Sequence, residues 1–115
     1  MAMPVTCRQA LEWVTINGAK MAGLEARVGS LTPGKQADIL LLRAGDLNMF
    51  PVVDPVASVV MQAGVANVDT VLVAGRVVKR DGRLLYAQIA DKKAALQRSG
   101  ERILTDFGLL PLRAA

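Results

Sequence analysis

Four aspartates are the side chains in this sequence that come nearest to forming a reactive site: Asp46, Asp54, Asp69 and Asp81. Carboxylate oxygens bind Mg²⁺ and Ca²⁺, so an all-carboxylate site is one hypothesis, although sequence spacing alone does not bring the four together. The chain contains no histidine, and imidazoles are the usual ligands where a bound metal activates water. We therefore predict no catalytic residue, no cofactor and no metal ligand in this chain.

Cys7 is the one cysteine of the chain. An internal disulfide needs two cysteines, and a thiolate metal cluster would need further thiols from other chains. A cysteine nucleophile also needs a nearby base, commonly a histidine, which this sequence lacks. The sequence therefore predicts a free thiol on the first helix.

The length and composition predict one α+β domain over residues 1–115. A chain of 115 residues buries roughly two-thirds of the surface that its unfolded form exposes. Apolar residues make up 52% of the sequence and aromatic residues only 3%, so the core must consist of aliphatic side chains. No apolar segment reaches the ~20 residues that a membrane span needs, and the first residues lack the pattern of a signal peptide. We expect a cytoplasmic protein without a membrane partner.

Capping signals predict an N-terminal helix over residues 7–22. Thr6 and Gln9 have the spacing of a capping box, and apolar residues follow at intervals close to the helical period. Gly23 is typical of the left-handed residue that ends a helix. Gly18 weakens the middle of the helix by about 1 kcal/mol, so we expect a break or a close contact there.

A tight turn predicts two neighbouring strands. Within Thr32–Lys35, Pro33 supplies the φ near −65° and Gly34 the positive φ that a type II turn requires. The turn is expected to join a short strand at 29–31 to a longer strand at 37–42.

The longer strand ends in Ile39–Leu42, which is apolar at every position. An alternating pattern would leave one face in water, whereas a continuous apolar pattern predicts that both faces are covered. Ile39 and Leu41 are therefore expected at an interface. Asp38 precedes this segment, and we expect its carboxylate to accept hydrogen bonds from a turn backbone or to pair with Lys35.

Residues 28–85 are predicted to hold a small sheet and one short helix. Asp54 is typical of an N-cap and Pro55 of a first helical position, so a short middle helix begins there. Gly75 and Gly82 each lie in a two-residue turn between aliphatic segments, which favours consecutive antiparallel strands.

Residues 90–107 are predicted to form a long C-terminal helix. Leu96, Gly100, Ile103 and Phe107 follow one another at spacings of 4, 3 and 4 residues and form one apolar stripe. Gly100 costs about 1 kcal/mol relative to alanine unless it lets another element approach closely. We interpret Gly100 as an imperfection of the helix sequence, and the alternative is that the stripe is a contact surface for a partner.

Basic residues are concentrated near the C-terminal end. Up to residue 75 five Lys/Arg stand against six Asp/Glu, whereas from residue 76 onward nine stand against four. A basic surface can bind nucleic acid, but one Trp, one Tyr and two Phe are too few for a platform that stacks bases. A weak nucleic-acid-binding module is therefore an alternative that we do not favour.

The order of these segments resembles the C-terminal region of the metal-dependent amidohydrolase superfamily. The likeness is to its aminohydrolase, chlorohydrolase and cytosine-deaminase-like branch. It rests on TINGAKMAGLEARVGSLTPGKQADILLL, then DPVASVV, then VDTVLVAGRVVKRDGRLL, which together run from residue 15 to residue 85.

The resemblance implies a fold and, with it, what this sequence does not contain. In that family the helix with the Asn-Gly-Ala segment lies at the end of a (β/α)₈ barrel, and the strands form part of a composite β-sandwich. Full-length members bind zinc or iron through histidine motifs of the barrel. The resemblance therefore implies that the barrel and the N-terminal sandwich strands lie outside this sequence. No catalytic residue of the family matches a position here.

Two functional hypotheses follow from the resemblance. In the first, the chain is non-catalytic and self-associates, because a half-sandwich leaves an apolar sheet face and open strand edges. The expected product is a homodimer, with or without exchanged helices. In the second, the chain is one subunit of a split hydrolase that acts on C–N or C–Cl bonds, and a separate chain supplies the metal-binding barrel. Neither hypothesis gives this chain catalytic activity on its own.

Overall fold

The computed structural model describes residues 4–108 and confirms the α+β fold, with a small antiparallel sheet and flanking helices. The helices are α1 (Cys7–Glu12), α2 (Gly18–Met21), α3 (Pro55–Met61) and α4 (Ile89–Asp106), and the strands are β1 (Ile39–Leu42), β2 (Val68–Val73), β3 (Arg76–Arg80) and β4 (Arg83–Leu84). Over the described range, no helix has both the length and the apolar character needed to cross a membrane. Two compact units divide at Leu85 and Tyr86, and the single domain over 1–115 stays a prediction.

The first helix begins at the predicted capping box. The Thr6 hydroxyl accepts a hydrogen bond from the Gln9 backbone N–H at 3.2 Å, and the Gln9 side chain accepts one from the Thr6 N–H at 2.9 Å. Two of the backbone donors at the start of α1 are thereby satisfied.

A π turn over Trp13–Asn17 separates α1 from α2, which corrects the prediction of one regular helix over 7–22. The Thr15 hydroxyl donates to the Leu11 carbonyl at 2.7 Å, a contact that competes with the regular helical hydrogen bonds. The weakness expected near Gly18 is therefore a widened turn, not a chain break.

The helical segment ends as a Schellman motif around Gly23. Gly23 has φ +67°, and its N–H donates to the Lys20 carbonyl at 3.0 Å. The next N–H, of Leu24, reaches back to the Ala19 carbonyl at 2.9 Å. This pair of bonds satisfies two of the carbonyls that the helix end leaves open.

The predicted strand at 29–31 is wrong, because the chain bends there and lies directly on the helix. Gly29 has φ +87°, which is incompatible with extended backbone. A Cβ on Gly29 would lie 2.6 Å from the Ala19 Cβ and 3.1 Å from the Thr15 carbonyl oxygen. Glycine is therefore required here by both backbone angle and space.

The four strands form one antiparallel sheet in the order β1-β2-β3-β4. Leu40 of β1 lies opposite Val71 of β2, and Leu72 lies opposite Val77 of β3. Strand β1 begins two residues later than the predicted strand over 37–42.

Two-residue turns connect β2 to β3 and β3 to β4, as the sequence predicts. Ala74 and Gly75 have φ of +48° and +80°, and Asp81 and Gly82 have φ of +49° and +73°. Two successive positive φ values match the twist of an antiparallel hairpin. Helix α4 agrees with the predicted helix over 90–107 to within one residue at each end.

Few apolar side chains are buried in the described part of the chain. Ala19 and Met49 are buried there, together with the polar residues Ser58 and Asn67. The prediction that both faces of the aliphatic strand are covered is not met within residues 4–108, because Leu40 and Leu41, on opposite faces, are 55% and 50% exposed.

We expect Gly29→Ala to be more destabilising than Gly34→Ala. Both glycines have positive φ, but a Cβ on Gly34 would meet nothing within 4 Å. Gly34→Ala should therefore lower the free energy of unfolding by about 1 kcal/mol from backbone strain alone. Gly29→Ala adds overpacking against Ala19 and should cost about 2–4 kcal/mol. Urea unfolding measures both variants, and equal losses would contradict the close approach at Gly29.

Candidate functional site

A polar cluster forms where β1 leaves the sheet. Arg43 follows β1, and its Nε lies 3.3 Å from each carboxylate oxygen of Asp46. Its Nη1 lies 3.3 Å from the Asp69 Oδ1, and its Nη2 donates to the Ala66 carbonyl. One guanidinium therefore joins the loop after β1 to the start of β2.

Asn67 is the buried centre of this polar cluster, with 2% of its surface exposed. Its side-chain amide donates to Asp46 at 2.8 Å and to Asn48 at 2.9 Å. Its side-chain carbonyl accepts from the Gly64 N–H and from the Asn48 amide, each at 2.9 Å. Among the described residues every buried side-chain N or O has a partner, so the cluster is internally complete.

The hydrogen bonds of the cluster fix its charge states. The Asn67 amide lowers the pKa of the Asp46 carboxyl below its usual value, and Arg43 acts in the same direction. The Asp46 hydrogen bond raises the pKa of Arg43. A carboxylate that stays ionised and a guanidinium that stays protonated cannot exchange protons near neutral pH. The arrangement therefore ties loops together and does not act as an acid–base pair.

The structure does not assemble the four aspartates of the sequence into a metal site. Asp46 and Asp69 both contact Arg43, whereas Asp54 caps α3 by accepting from the Val56 N–H at 2.9 Å. Within the described range there is no group of three His, Cys, Asp or Glu residues that could hold a metal ion. The carboxylates of Asp46, Asp54 and Asp69 instead accept hydrogen bonds from N–H groups, a hydroxyl or a guanidinium.

Asp38 stabilises a turn, but one that lies far away in the sequence. Its Oδ1 accepts from the Ala74 N–H at 2.6 Å, and the neighbouring Ala37 carbonyl accepts from the Gly75 N–H at 3.0 Å. Lys35 does not pair with Asp38, since its Nζ donates to a backbone carbonyl at 3.3 Å. The start of the aliphatic strand is therefore attached to the β2–β3 turn.

The other turn and cap residues of the sequence have these positions. Lys35 N donates to the Thr32 carbonyl at 3.1 Å, which closes the turn at Pro33 and Gly34, where Gly34 has φ +90°. Pro55 is the first residue of α3. Cys7 is a free, partly exposed cysteine at the start of α1.

Exposed apolar side chains form the second notable feature of the first unit. Leu40 is 55% and Leu41 50% exposed, and because successive strand residues point to opposite faces, each face of β1 presents one leucine. Ile39 is partly buried. Further large apolar side chains on the N-terminal helical segment are exposed: Trp13, Val14 and Met21.

The apolar stripe of α4, in the second unit, is also exposed. Leu96 is 74% exposed, and Ile103 and Phe107 are accessible as well. A Cβ on Gly100 would meet nothing within 4 Å. The alternative of a close contact at Gly100 is therefore not met within the described part of this chain.

The sequence interpretation missed the polar cluster around Asn67. Arg43, Asp46 and Asn48 lie within six residues of one another, which is a weak signal, but their partner lies about twenty residues further on. Only the pairing of β1 with β2 brings Asn67 to this end of the sheet.

Residues 2–78 match the amidohydrolase family. The 5-methylthioadenosine/S-adenosylhomocysteine deaminase of Desulforudis audaxviator is 38% identical over 94 residues, which cover 82% of this chain and 22% of that protein. The S-triazine hydrolase of Gordonia rubripertincta is 37% identical over 92 residues, which cover 80% of this chain and 19% of that protein. The chain thus spans about a fifth of the length of these relatives.

A solved structure has a similar fold over most of the chain. It is an adenosine deaminase from Xanthomonas campestris with bound zinc, with a TM-score of 0.82 and 27% sequence identity. The similarity covers 87% of this chain and 23% of the deaminase chain.

We expect the free energy of unfolding to decrease when the pH is lowered and Asp46 becomes protonated. Because the folded state lowers the pKa of Asp46, its contribution is complete above the ordinary aspartate value of 3.8 and is lost as the pH falls through the folded-state pKa. Asp46→Asn should therefore reduce stability at pH 7. It should also make the melting temperature depend less on pH between about pH 2 and 5. An unchanged pH slope in the variant would contradict this role.

We expect Asn67→Ala to lower the free energy of unfolding by about 2–4 kcal/mol. The substitution leaves the Gly64 N–H and one carboxylate oxygen of Asp46 without their buried partner, and each such loss costs about 1–3 kcal/mol. The control is Thr70→Val, which removes one hydroxyl hydrogen bond to Asp69 at the edge of the cluster. Denaturant unfolding should show a much larger loss of unfolding free energy for Asn67→Ala than for the control. The opposite ranking would exclude Asn67 as the centre of the polar cluster.

Proposed function

This chain belongs to the amidohydrolase family, and we propose that it is a non-catalytic part of that family that completes its sheet by association with a second copy of itself. The observation that carries the proposal is the exposure of the aliphatic strand β1. Leu40 and Leu41 are each about half exposed and point to opposite faces of the sheet. An exposed aliphatic strand at the edge of a sheet favours association with another chain.

The energy available from such an association is adequate. At about 25 cal/mol per Å², an interface that removes roughly 800 Å² of apolar surface from water contributes on the order of 20 kcal/mol. The loss of translational and rotational freedom opposes this by an estimated 4–15 kcal/mol, and ordering of side chains adds to that cost. The balance favours a dimer.

The donor set of this chain does not fit the zinc ion found in the similar deaminase structure. The sequence has no histidine and a single cysteine, and the residues that the structure describes contain no cluster of three ligands. Zinc sites that activate water use three protein ligands with imidazole prominent among them. We therefore assign no reaction step to this chain.

A separate barrel chain is the second candidate partner. It is supported by the TM-score of 0.82 over 87% of the chain, since the chain has kept the conformation of a segment in a zinc-containing deaminase. The reaction of such an assembly would be hydrolytic removal of an amino group or a chloride from a heteroaromatic ring. A neighbouring reading frame with the histidine motifs and without this segment would favour this candidate.

The solution mass and the metal content of one sample test the proposal. We expect a light-scattering mass of twice the 12.2 kDa chain at micromolar concentration and no stoichiometric zinc after incubation with the ion and dialysis. A mass of one chain at every concentration would contradict self-association. Stoichiometric zinc would contradict the argument from the donor set, and mixing with a candidate barrel chain would show whether hydrolytic activity requires both proteins.

A further inference from the structure

The two edges of the sheet differ in how well they are protected against further strand pairing. The β4 edge is two residues long, and Arg80 and Arg83 lie opposite each other at its turn. The β1 edge carries four aliphatic residues and no charge. Short strands and charged side chains prevent edge pairing, whereas a flat apolar edge permits it. The open edge of this sheet is therefore β1.

The hydrogen bonds at both ends of β1 show which backbone groups point toward β2. The Ala37 carbonyl accepts from the Gly75 N–H at 3.0 Å, and the Arg43 N–H donates to the Asn67 carbonyl at 2.8 Å. Because backbone groups alternate in direction along a strand, Ile39 and Leu41 also point toward β2. The N–H and C=O groups of Leu40 and Leu42 therefore point outward.

The outward groups of β1 are available for pairing. Among residues 4–108, no backbone hydrogen bond beyond the sheet itself reaches the N–H or C=O of Leu40 or Leu42. The neighbouring outward donor, the Asp38 N–H, is already bonded to the Gln36 carbonyl at 3.0 Å. A pairing strand therefore has two consecutive outward residues to bond, both within β1.

We propose that the β1 edge pairs antiparallel with β1 of a second copy, about a two-fold axis at Leu41. In this register Leu41 faces Leu41 of the copy, and Leu40 and Leu42 exchange four N–H···O=C bonds with Leu42 and Leu40 of the copy. A register centred on Leu40 would place Asp38 opposite Leu42 of the copy, and because the Asp38 N–H is already used, two of the six possible bonds would stay unformed. The two four-stranded sheets become one sheet of eight strands.

A second copy suits this edge because the strand is complementary to itself. Within β1 the register places leucine opposite leucine and brings no two like charges together. The same operation at the β4 edge would bring Arg83 of both copies close together. Pairing also brings exposed leucines side by side across the two-fold axis, with Leu41 beside Leu41 of the copy on one face and Leu40 beside Leu42 of the copy on the other.

This inference rests on the proposed self-association, and Leu40→Pro tests it separately. Proline removes the outward N–H of Leu40 and leaves the bonds between β1 and β2 in place, since proline is tolerated on edge strands. We expect the light-scattering mass to fall from two chains to one. The matched control, Leu40→Ala, keeps the N–H and should remain dimeric with a weaker association.

Disulfide trapping provides a readout that does not depend on Leu40→Pro folding. In a Cys7→Ser background, Leu41→Cys places two thiols at a non-hydrogen-bonded pair about 4.5 Å apart between Cα atoms, which a disulfide can span. We expect oxidation to give a cross-linked dimer, whereas the control Leu84→Cys, at the other edge, should stay uncrosslinked.

The outcomes separate this inference from the proposed function. A wild-type mass of one chain contradicts both. If the wild type is a dimer, Leu40→Pro remains dimeric and Leu41→Cys forms no cross-link, the chain self-associates through another surface. That result overturns the β1 pairing. If the wild type is monomeric and binds a different polypeptide, and Leu40→Pro abolishes that binding, the edge binds that polypeptide. The proposal of a second copy is then overturned.

Discussion

The strand Ile39–Leu42 is the element on which the rest of this structure depends, because it is aliphatic at every position and, among residues 4–108, pairs with a strand on one side only. Each face of a sheet must be covered before its side chains leave water. Leu40 and Leu41 consequently remain about half exposed. The hydrophobic effect, which normally buries such side chains within a domain, would favour the proposed association here. The exposure of these aliphatic side chains links the sequence of β1 to the proposed function of the chain.

Polar contacts hold the loops around the sheet in place, a role that an apolar core has in many other proteins. With Ala19 and Met49 as the buried apolar residues of the described chain, the loops around the sheet are held by Asn67 and by Arg43. Such a cluster is directional, so it fixes loop geometry at one end of β1 while Asp38 fixes the other end. A strand that is anchored at both ends keeps a defined edge. This preorganisation reduces the ordering cost when a second strand adds.

The relation to the amidohydrolase family separates ancestry from chemistry. Sequence and fold both place the chain beside deaminases and hydrolases, one of which was solved with bound zinc. The chemistry of these relatives does not follow from the residues present, since a metal site needs several ligands in one place and this chain brings together none that qualify within its described part. Fold and function are thus distinct conclusions here, and the proposed function is argued from the surface of the sheet.

Local sequence determined the features that depend on neighbouring residues. The capping box at Thr6, the Asp54 cap, the turns at Gly75 and Gly82 and the span of α4 follow from short patterns whose partners are at most four residues apart. Tertiary structure alone decided the features whose partners are distant. Gly29 lies on Ala19 and not in a strand, Asp38 bonds a turn thirty-six residues away, and Asn67 reaches Asp46 only after β1 and β2 pair. The physical reason is that a backbone angle or a cap is a property of a few adjacent residues, whereas burial and long-range hydrogen bonds exist only once the sheet has formed.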